Sequence, residues 1–256
     1  MTKTLKDTLR EIQILLGKPH KKISGALQYY LDFFGTSKNV QEEEKPPSKT
    51  DKIRTIRHGK ITWTDIKDPN RREISRLAEK YPFHPLHLED CISKGQFPKL
   101  EQNEDDKYIF LLLHFPNKSS QDQRIITNQI CFFLGKDYLI TTHENTNAVL
   151  ADIFDACKTS AKQREAYMDN SATHLLYVLI DHLTGDLSPI MQMILQEVDE
   201  AEDIVFDDKV SGVYKIGQLR QKIISLRRMI GPLRGIIQEL TDKINKFATG
   251  DLSVYF

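Results

Sequence analysis

Two long stretches in the last third of the chain limit its fold more than any other feature. Residues 171–207 and 212–247 hold a helical apolar period with few breakers. In the first, Leu175, Leu179, Leu183, Leu187, Ile190 and Ile194 fall three or four positions apart and form one broad stripe. In the second, Ile216, Leu219, Ile223, Leu226, Ile230 and Leu233 do the same. Only the short step FDDKVSG joins them, so the pair is expected to fold back as an antiparallel hairpin. Pro189 and Pro232 fall inside the two patterns and are expected to kink them.

Upstream the period changes. Residues 107–115 (KYIFLLLHF), 124–134 (RIITNQICFFL) and 137–142 (DYLITT) are short apolar runs rich in aromatic and β-branched residues. Their near-continuous apolarity suits strands covered on both faces. Gly135-Lys136 reads as the tight turn between the last two. IRTIRHG and ITWTDI precede them as further strands. KDPNRREISRLAEKY reads as a helix with Asp68 as its N-cap and Pro69 at its first position. Shorter helices are expected near 85–93 and over 146–165. The resulting division is a helical arm with its linker QEEEKPPSKT over 1–50, a main body over 51–168, and the hairpin over 169–256. Tyr29, Tyr30, Phe33 and Phe34 of the arm either pack on the hairpin or dock a partner.

Charge and cysteine content exclude several classes. Acidic and basic residues number 36 each, so no overall basic field is present to attract nucleic acid. The three cysteines, Cys91, Cys131 and Cys157, are widely spaced and odd in number, which fits a reducing compartment and no disulfide framework. No apolar run reaches the roughly 18–20 residues that cross a bilayer. The chain as it stands is therefore expected to be soluble and cytosol-facing. No phosphate-binding glycine loop, nucleophile elbow or Ca²⁺-binding loop occurs, so no catalytic centre is visible.

The chemistry concentrates in HPLHLEDCISKGQFPKLEQNEDDKYIFLLL, residues 84–113. Glu89 and Asp90 are neighbouring carboxylates, hard oxygen donors of the kind that hold Mg²⁺ through one or two carboxylates plus water. The plainer alternative is an acidic helix end in water. His84 and His87 lack metalloprotease spacing, and a structural role is expected for them. Asp181 and Asp186 interrupt the apolar stripe, and Asp181, among Leu179, Ile180 and Leu183, needs a partner, either a Lys or Arg from the second hairpin helix or a cation. Acidic residues crowd 197–208 and basic ones 209–234. That sorting reads as ion pairs across the hairpin, or as an acidic tip that concentrates cations.

The 84–113 stretch resembles the signature of the CorA family of divalent-cation channels. That signature runs His-Pro-Leu-x-x-Glu-Asp, then Gln-x-Pro-Lys-x-Glu, then acidic residues before an aromatic-rich strand. ITWTDIKDPNRREISRLAEKYPF is similar to the unit that precedes it there. HLLYVLIDHLTGDLSPIMQMILQEVDEAEDIVF and LRQKIISLRRMIGPLRGIIQEL are similar to the two hairpin helices, so the match covers about residues 53–256. The resemblance implies an αβα sandwich with a mixed central sheet, followed by a long antiparallel helical hairpin. It implies a homopentamer that joins the membrane through a stalk and two spans outside this chain, whose end DLSVYF looks like the segment before the stalk. It implies a cytoplasmic domain of an inner- or plasma-membrane protein, with regulatory Mg²⁺ or Co²⁺ at the subunit contacts. Carried over by position, Glu89 and Asp90 match the family's bridging acidic pair and Asp181 a carboxylate of a second metal site. The partner aspartate is expected beyond Phe256. Three rival readings stay open: a related zinc transporter, a soluble metal-dependent enzyme using His84, His87, Glu89 and Asp90, and an interaction module with no metal role.

Overall fold

The computed structural model describes residues 52–247 except 103–106, 119–124, 145–147, Asn170, Asp186 and Asp208. The expected N-terminal arm, Asp186, and Glu104, Asp105 and Asp106 of the acidic cluster lie outside the described residues. Six strands form one mixed sheet in the order β1-β2-β6-β5-β4-β3. They are β1 (Ile53–His58), β2 (Ile61–Lys67), β3 (Lys99–Glu101), β4 (Tyr108–Lys118), β5 (Ile125–Gly135) and β6 (Tyr138–His143). Only β2 and β6 run parallel, and every other neighbouring pair is antiparallel.

Strand alternation builds two cores. Ile109, Leu111 and Leu113 of β4 face one side with Ile130, Phe132 and Leu134 of β5. Tyr108, Phe110 and Leu112 face the other with Cys131 and Phe133. This two-sided burial is why these strands read as unbroken apolar runs. On the first side lie α3 (Ala148–Thr159), α5 (Ala172–Gly185) and the second half of α7 (Lys209–Phe247), which adds Leu233, Ile237, Leu240 and Ile244 to that core. On the second lie α1 (Arg71–Lys80) and α2 (Pro85–Asp90), through Ile74, Leu77 and Leu88. The result is the expected αβα sandwich with a hairpin. Full burial of each large side chain, such as Trp63 or Phe132, stabilises by ~1.5–3 kcal/mol.

The helical stretch over 171–207 is two helices, not one. α5 ends at Gly185, and α6 (Leu187–Asp207) begins two residues later. Pro189 therefore sits in the first turn of α6, where a missing N–H leaves no gap in the ladder, and it is not a mid-helix kink. Pro232 does lie inside a helix, α7. The hairpin seam is a third core, with Leu187, Ile190 and Ile194 of α6 against Leu219, Leu226 and Ile230 of α7. Two cross-hairpin ion pairs realise the charge sorting: Lys222 Nζ to Glu197 Oε1 at 2.6 Å and Lys215 Nζ to Glu200 Oε2 at 2.9 Å. The side chains of the expected acidic tip beyond Glu202 lie outside the described residues.

Asn70, not Asp68, caps α1. Its side chain accepts from the Arg72 N–H at 2.8 Å, and Glu73 returns a bond to the Asn70 N–H at 3.1 Å, a complete capping box. Asp68 has φ of 44° and turns the chain out of β2. The helix expected over 146–165 is broken at Ser160, which caps α4 (Ala161–Met168). The loop between β5 and β6 has no room for a side chain at Gly135, because a Cβ there overlaps the Tyr138 ring.

A buried ionic network ties β1, β2, β6 and α3 together. Asp65 is fully buried and accepts from Arg54 at 2.7 Å, Thr141 at 2.7 Å and His143 Nε2 at 3.0 Å. Arg54 also reaches Asp155 at 3.0 Å and lies 4.2 Å over the Phe154 ring. His143 Nδ1 faces the Glu144 carbonyl at 2.7 Å, so both of its ring nitrogens meet acceptors. Burial alone raises the carboxyl of Asp65, but His143, Arg54 and Thr141 outweigh it and hold the group below its ordinary value.

Candidate functional site: the acidic end of helix α2

α2 is one and a half turns long, and its sequence supplies each device that places it. His84 is the N-cap, with Nδ1 accepting from the Leu86 N–H at 3.3 Å, and Pro85 follows at the first helical position. At the other end, Gln129 Nε2 reaches up from β5 and donates to the carbonyls of Asp90 at 2.9 Å and Ser93 at 3.0 Å. The Asp90 carbonyl ends a helix too short to pair it, and the Ser93 carbonyl lies in the turn that follows.

His87 is the keystone beneath. Its ring is buried and stacks on Phe110 at 4.3 Å with an interplanar angle of 8°. Nε2 lies 2.8 Å from Glu101 Oε2, and a carboxylate can only accept, so Nε2 carries the proton. Nδ1 then accepts from the Tyr108 hydroxyl at 2.8 Å, and that hydroxyl accepts from the His84 N–H at 2.8 Å. The structural role expected for His87 is what the geometry shows, with no metal-binding nitrogen left over.

Glu89 and Asp90 differ sharply in setting. Glu89 is exposed, whereas Asp90 is buried. Lys99 Nζ from β3 sits 2.7 Å from Asp90 Oδ2 and 3.0 Å from Glu101 Oε1. The Asp90 contact is a close ion pair, and Oδ2 has no other partner among the described residues. Charge is what holds it there. Burial works against the Lys99 ammonium, yet Asp90 and Glu101 outweigh it and raise its pKa above the ordinary lysine value. Burial likewise works against Glu101, and His87 and Lys99 together hold its carboxyl below the ordinary range. The signature residues thus form one chain of contacts from His84 through Tyr108, His87, Glu101 and Lys99 to Asp90. Glu89 and Asp90 were visible in the sequence as the acidic pair. The lysine that neutralises Asp90, and the histidine and glutamate that steady the lysine, were not; the Pro-Lys-x-Glu step downstream was the only signal available.

Asp181 lies elsewhere. It sits on α5, on the opposite side of the sheet from α2, half-buried beside Ile180 and Leu183. Burial pushes its carboxyl pKa up, with the adjacent His182 working in the opposite direction. No cation from α7 reaches its carboxylate among the described residues. The three sequence-selected carboxylates therefore do not converge within one chain. Among the described residues no group of three or more His, Cys, Asp or Glu side chains could hold a metal ion. The donors are nonetheless hard oxygens, and an exposed carboxylate beside a buried one fits a hydrated divalent cation that takes its remaining ligands from water or another chain.

Comparison with known proteins bears on the family and the fold. The family model described as CorA-like Mg²⁺ transporter protein matches residues 58–256. The cobalt/magnesium transport protein CorA of Thermotoga maritima is 27% identical over 198 residues, covering 76% of this chain and 55% of that protein. The chain thus spans about half the length of that curated relative. The soluble domain of CorA from Methanocaldococcus jannaschii shares the fold with a TM-score of 0.60 at 20% identity, covering 71% of this chain and 70% of that one. The ZntB cytoplasmic domain from Vibrio parahaemolyticus shares it with a TM-score of 0.58 at 19% identity, covering 73% and 71%. No helix among the described residues is long and apolar enough to cross a membrane. With residues 58–256 inside the family model and a sandwich-plus-hairpin fold shared with the CorA soluble domain, this chain belongs to the CorA-like Mg²⁺ transporter family.

Proposed function

We propose that this chain is the cytoplasmic, metal-sensing part of a CorA-type Mg²⁺/Co²⁺ channel. Glu89 and Asp90 take a hydrated divalent cation at the contact between copies, and Asp181 takes part in a second site. The copies assemble as a pentamer joined to the membrane through segments outside this chain. In this reading residues 51–168 are the sandwich, 169–256 the hairpin that leads to the stalk, and 1–50 a separate arm. The observation that carries it is the setting of the acidic pair. Asp90 is buried and held by the contact chain through Lys99, Glu101 and His87, beside an exposed Glu89, and among the described residues the pair lacks the ligands to close a cage. Half a site on a fixed ledge is what a cation bridging two copies requires. The raised carboxyl of Asp181 supports the second site, because a half-buried acid with no cation from α7 beside it among the described residues gains most from a metal ion.

Cation occupancy favours one assembly state because only that state supplies the missing ligands. Mg²⁺ is expected to raise the melting temperature of the chain, and Asp90→Asn to remove the rise. At about ten times the dissociation constant the gain is ~1.4 kcal/mol. An Asp90→Asn variant that keeps the full rise removes Asp90 from the site. A zinc transporter with the same cytoplasmic fold is the second reading, supported by the likeness to the ZntB domain. The all-oxygen donors weigh toward Mg²⁺, and a larger thermal response to Zn²⁺ than to Mg²⁺ reverses that preference.

A further inference from the structure

We infer that Lys99 is a built-in competitor for the cation at Asp90, with Glu101 as the seat to which it withdraws, an inference that rests on the reading of Glu89 and Asp90 as cation ligands. Lys99 Nζ stands 2.7 Å from Asp90 Oδ2, where a divalent cation bound to that oxygen would have to stand. Oδ2 is shut off from solvent, and Lys99 is the side chain over it. Lys99 itself is 30% exposed, so it has an outward path. An ammonium and a divalent cation cannot share one carboxylate oxygen without strong repulsion. Cation entry at Oδ2 therefore means that Lys99 leaves that oxygen.

The departure is inexpensive because Lys99 already has a second carboxylate. Glu101 Oε1 is 3.0 Å away, and Glu101 is fixed from behind by His87 at 2.8 Å. Moving off Asp90 breaks one ion pair and strands no buried charge. The exchange lowers the apparent cation affinity by the strength of the Lys99–Asp90 pair. That tunes the site toward the high concentrations at which a sensor of an abundant ion must work. It also makes Lys99 and Glu101 act with opposite signs, which a purely structural role for the pair does not predict.

The test follows melting temperature against Mg²⁺ for the 256-residue chain and four variants, with each metal-free melt as a folding control. Lys99→Met is expected to lower the half-saturating Mg²⁺ about fivefold, the factor matching an ion pair of ordinary strength. Lys99→Arg keeps the competitor and is expected to stay near wild type. Glu101→Gln still accepts from His87 but releases its hold on Lys99, so half-saturation is expected to rise. Asp90→Asn reports the cation reading itself. If Asp90→Asn abolishes the response while Lys99→Met leaves half-saturation unchanged or raises it, the cation site stands and the competitor is overturned. An unmoved or lowered half-saturation in Glu101→Gln overturns the withdrawal seat, and this variant decides the matter if Lys99→Met does not fold. A wild-type chain indifferent to Mg²⁺, or an Asp90→Asn variant that responds like wild type, overturns the ligand assignment and the competitor together.

Discussion

Asp65 shows how this chain keeps a charge inside. Three donors from β1 and β6 converge on one fully buried carboxylate, and removing the negative charge leaves His143 without its carboxylate and Arg54 with only the exposed Asp155. Asp65→Asn is expected to lower unfolding free energy by about 3–5 kcal/mol, measured by urea denaturation. Because the folded carboxyl sits below its unfolded value, its contribution is complete above the ordinary carboxylate range near ~4 and is lost as pH falls through the depressed folded value. Acid unfolding of wild type should therefore be steeper than that of Asp65→Asn over that interval; equal slopes contradict the assignment. Gly135 is a second residue-scale case. The Tyr138 ring occupies the space of a Cβ, and Gly135→Ala is expected to destabilise by about 1–3 kcal/mol through overpacking, read by the same denaturation.

The elements divide by how local their cause is. α1 is capped by Asn70 and Glu73, and Asn70→Ala is expected to cost about 1 kcal/mol in thermal or chemical unfolding. A variant with unchanged stability means that the box is not formed. Asp68 and Asn70 are both good caps two residues apart; the discriminating mark was Glu73, three residues after Asn70, which was available in the sequence. β4, β5 and β6 were legible because burial on both faces leaves unbroken apolar runs. β3 was not, since Lys99-Leu100-Glu101 is three residues long and mostly polar, and it is a strand only because β4 offers it an edge. The break between α5 and α6 was hidden for the opposite reason: Leu183, Leu187 and Ile190 keep helical spacing straight across it. The polar networks were least legible. His143 and Asp65 are separated by 78 positions, and no local pattern announces that they meet. In the candidate site the acidic pair could be read directly, whereas the Lys99 ammonium beside it and the chain of contacts behind it appear only once β3 is laid beside β4.

At the scale of the whole molecule, the sheet separates the two candidate cation positions. α2 carries Glu89 and Asp90 on one face, and α5 carries Asp181 on the other. A cation bridging copies at both positions would engage both sides of each sandwich, which suits a closed ring better than a two-fold pair, since a ring uses two different surfaces of every subunit. The hairpin belongs to the same mechanical body through the second half of α7, whose Leu233, Ile237 and Leu240 lie in the sheet's own core. A shift at α2 therefore has a packed route to α7 through β4 and β5. The measurement that bears most directly on cation bridging is the sedimentation of wild type and the Glu89→Gln/Asp90→Asn double variant across a Mg²⁺ titration. The account predicts that Mg²⁺ drives wild type toward a larger assembly and leaves the double variant where it was. Mg²⁺-dependent association of equal extent in both, or none in wild type, contradicts it.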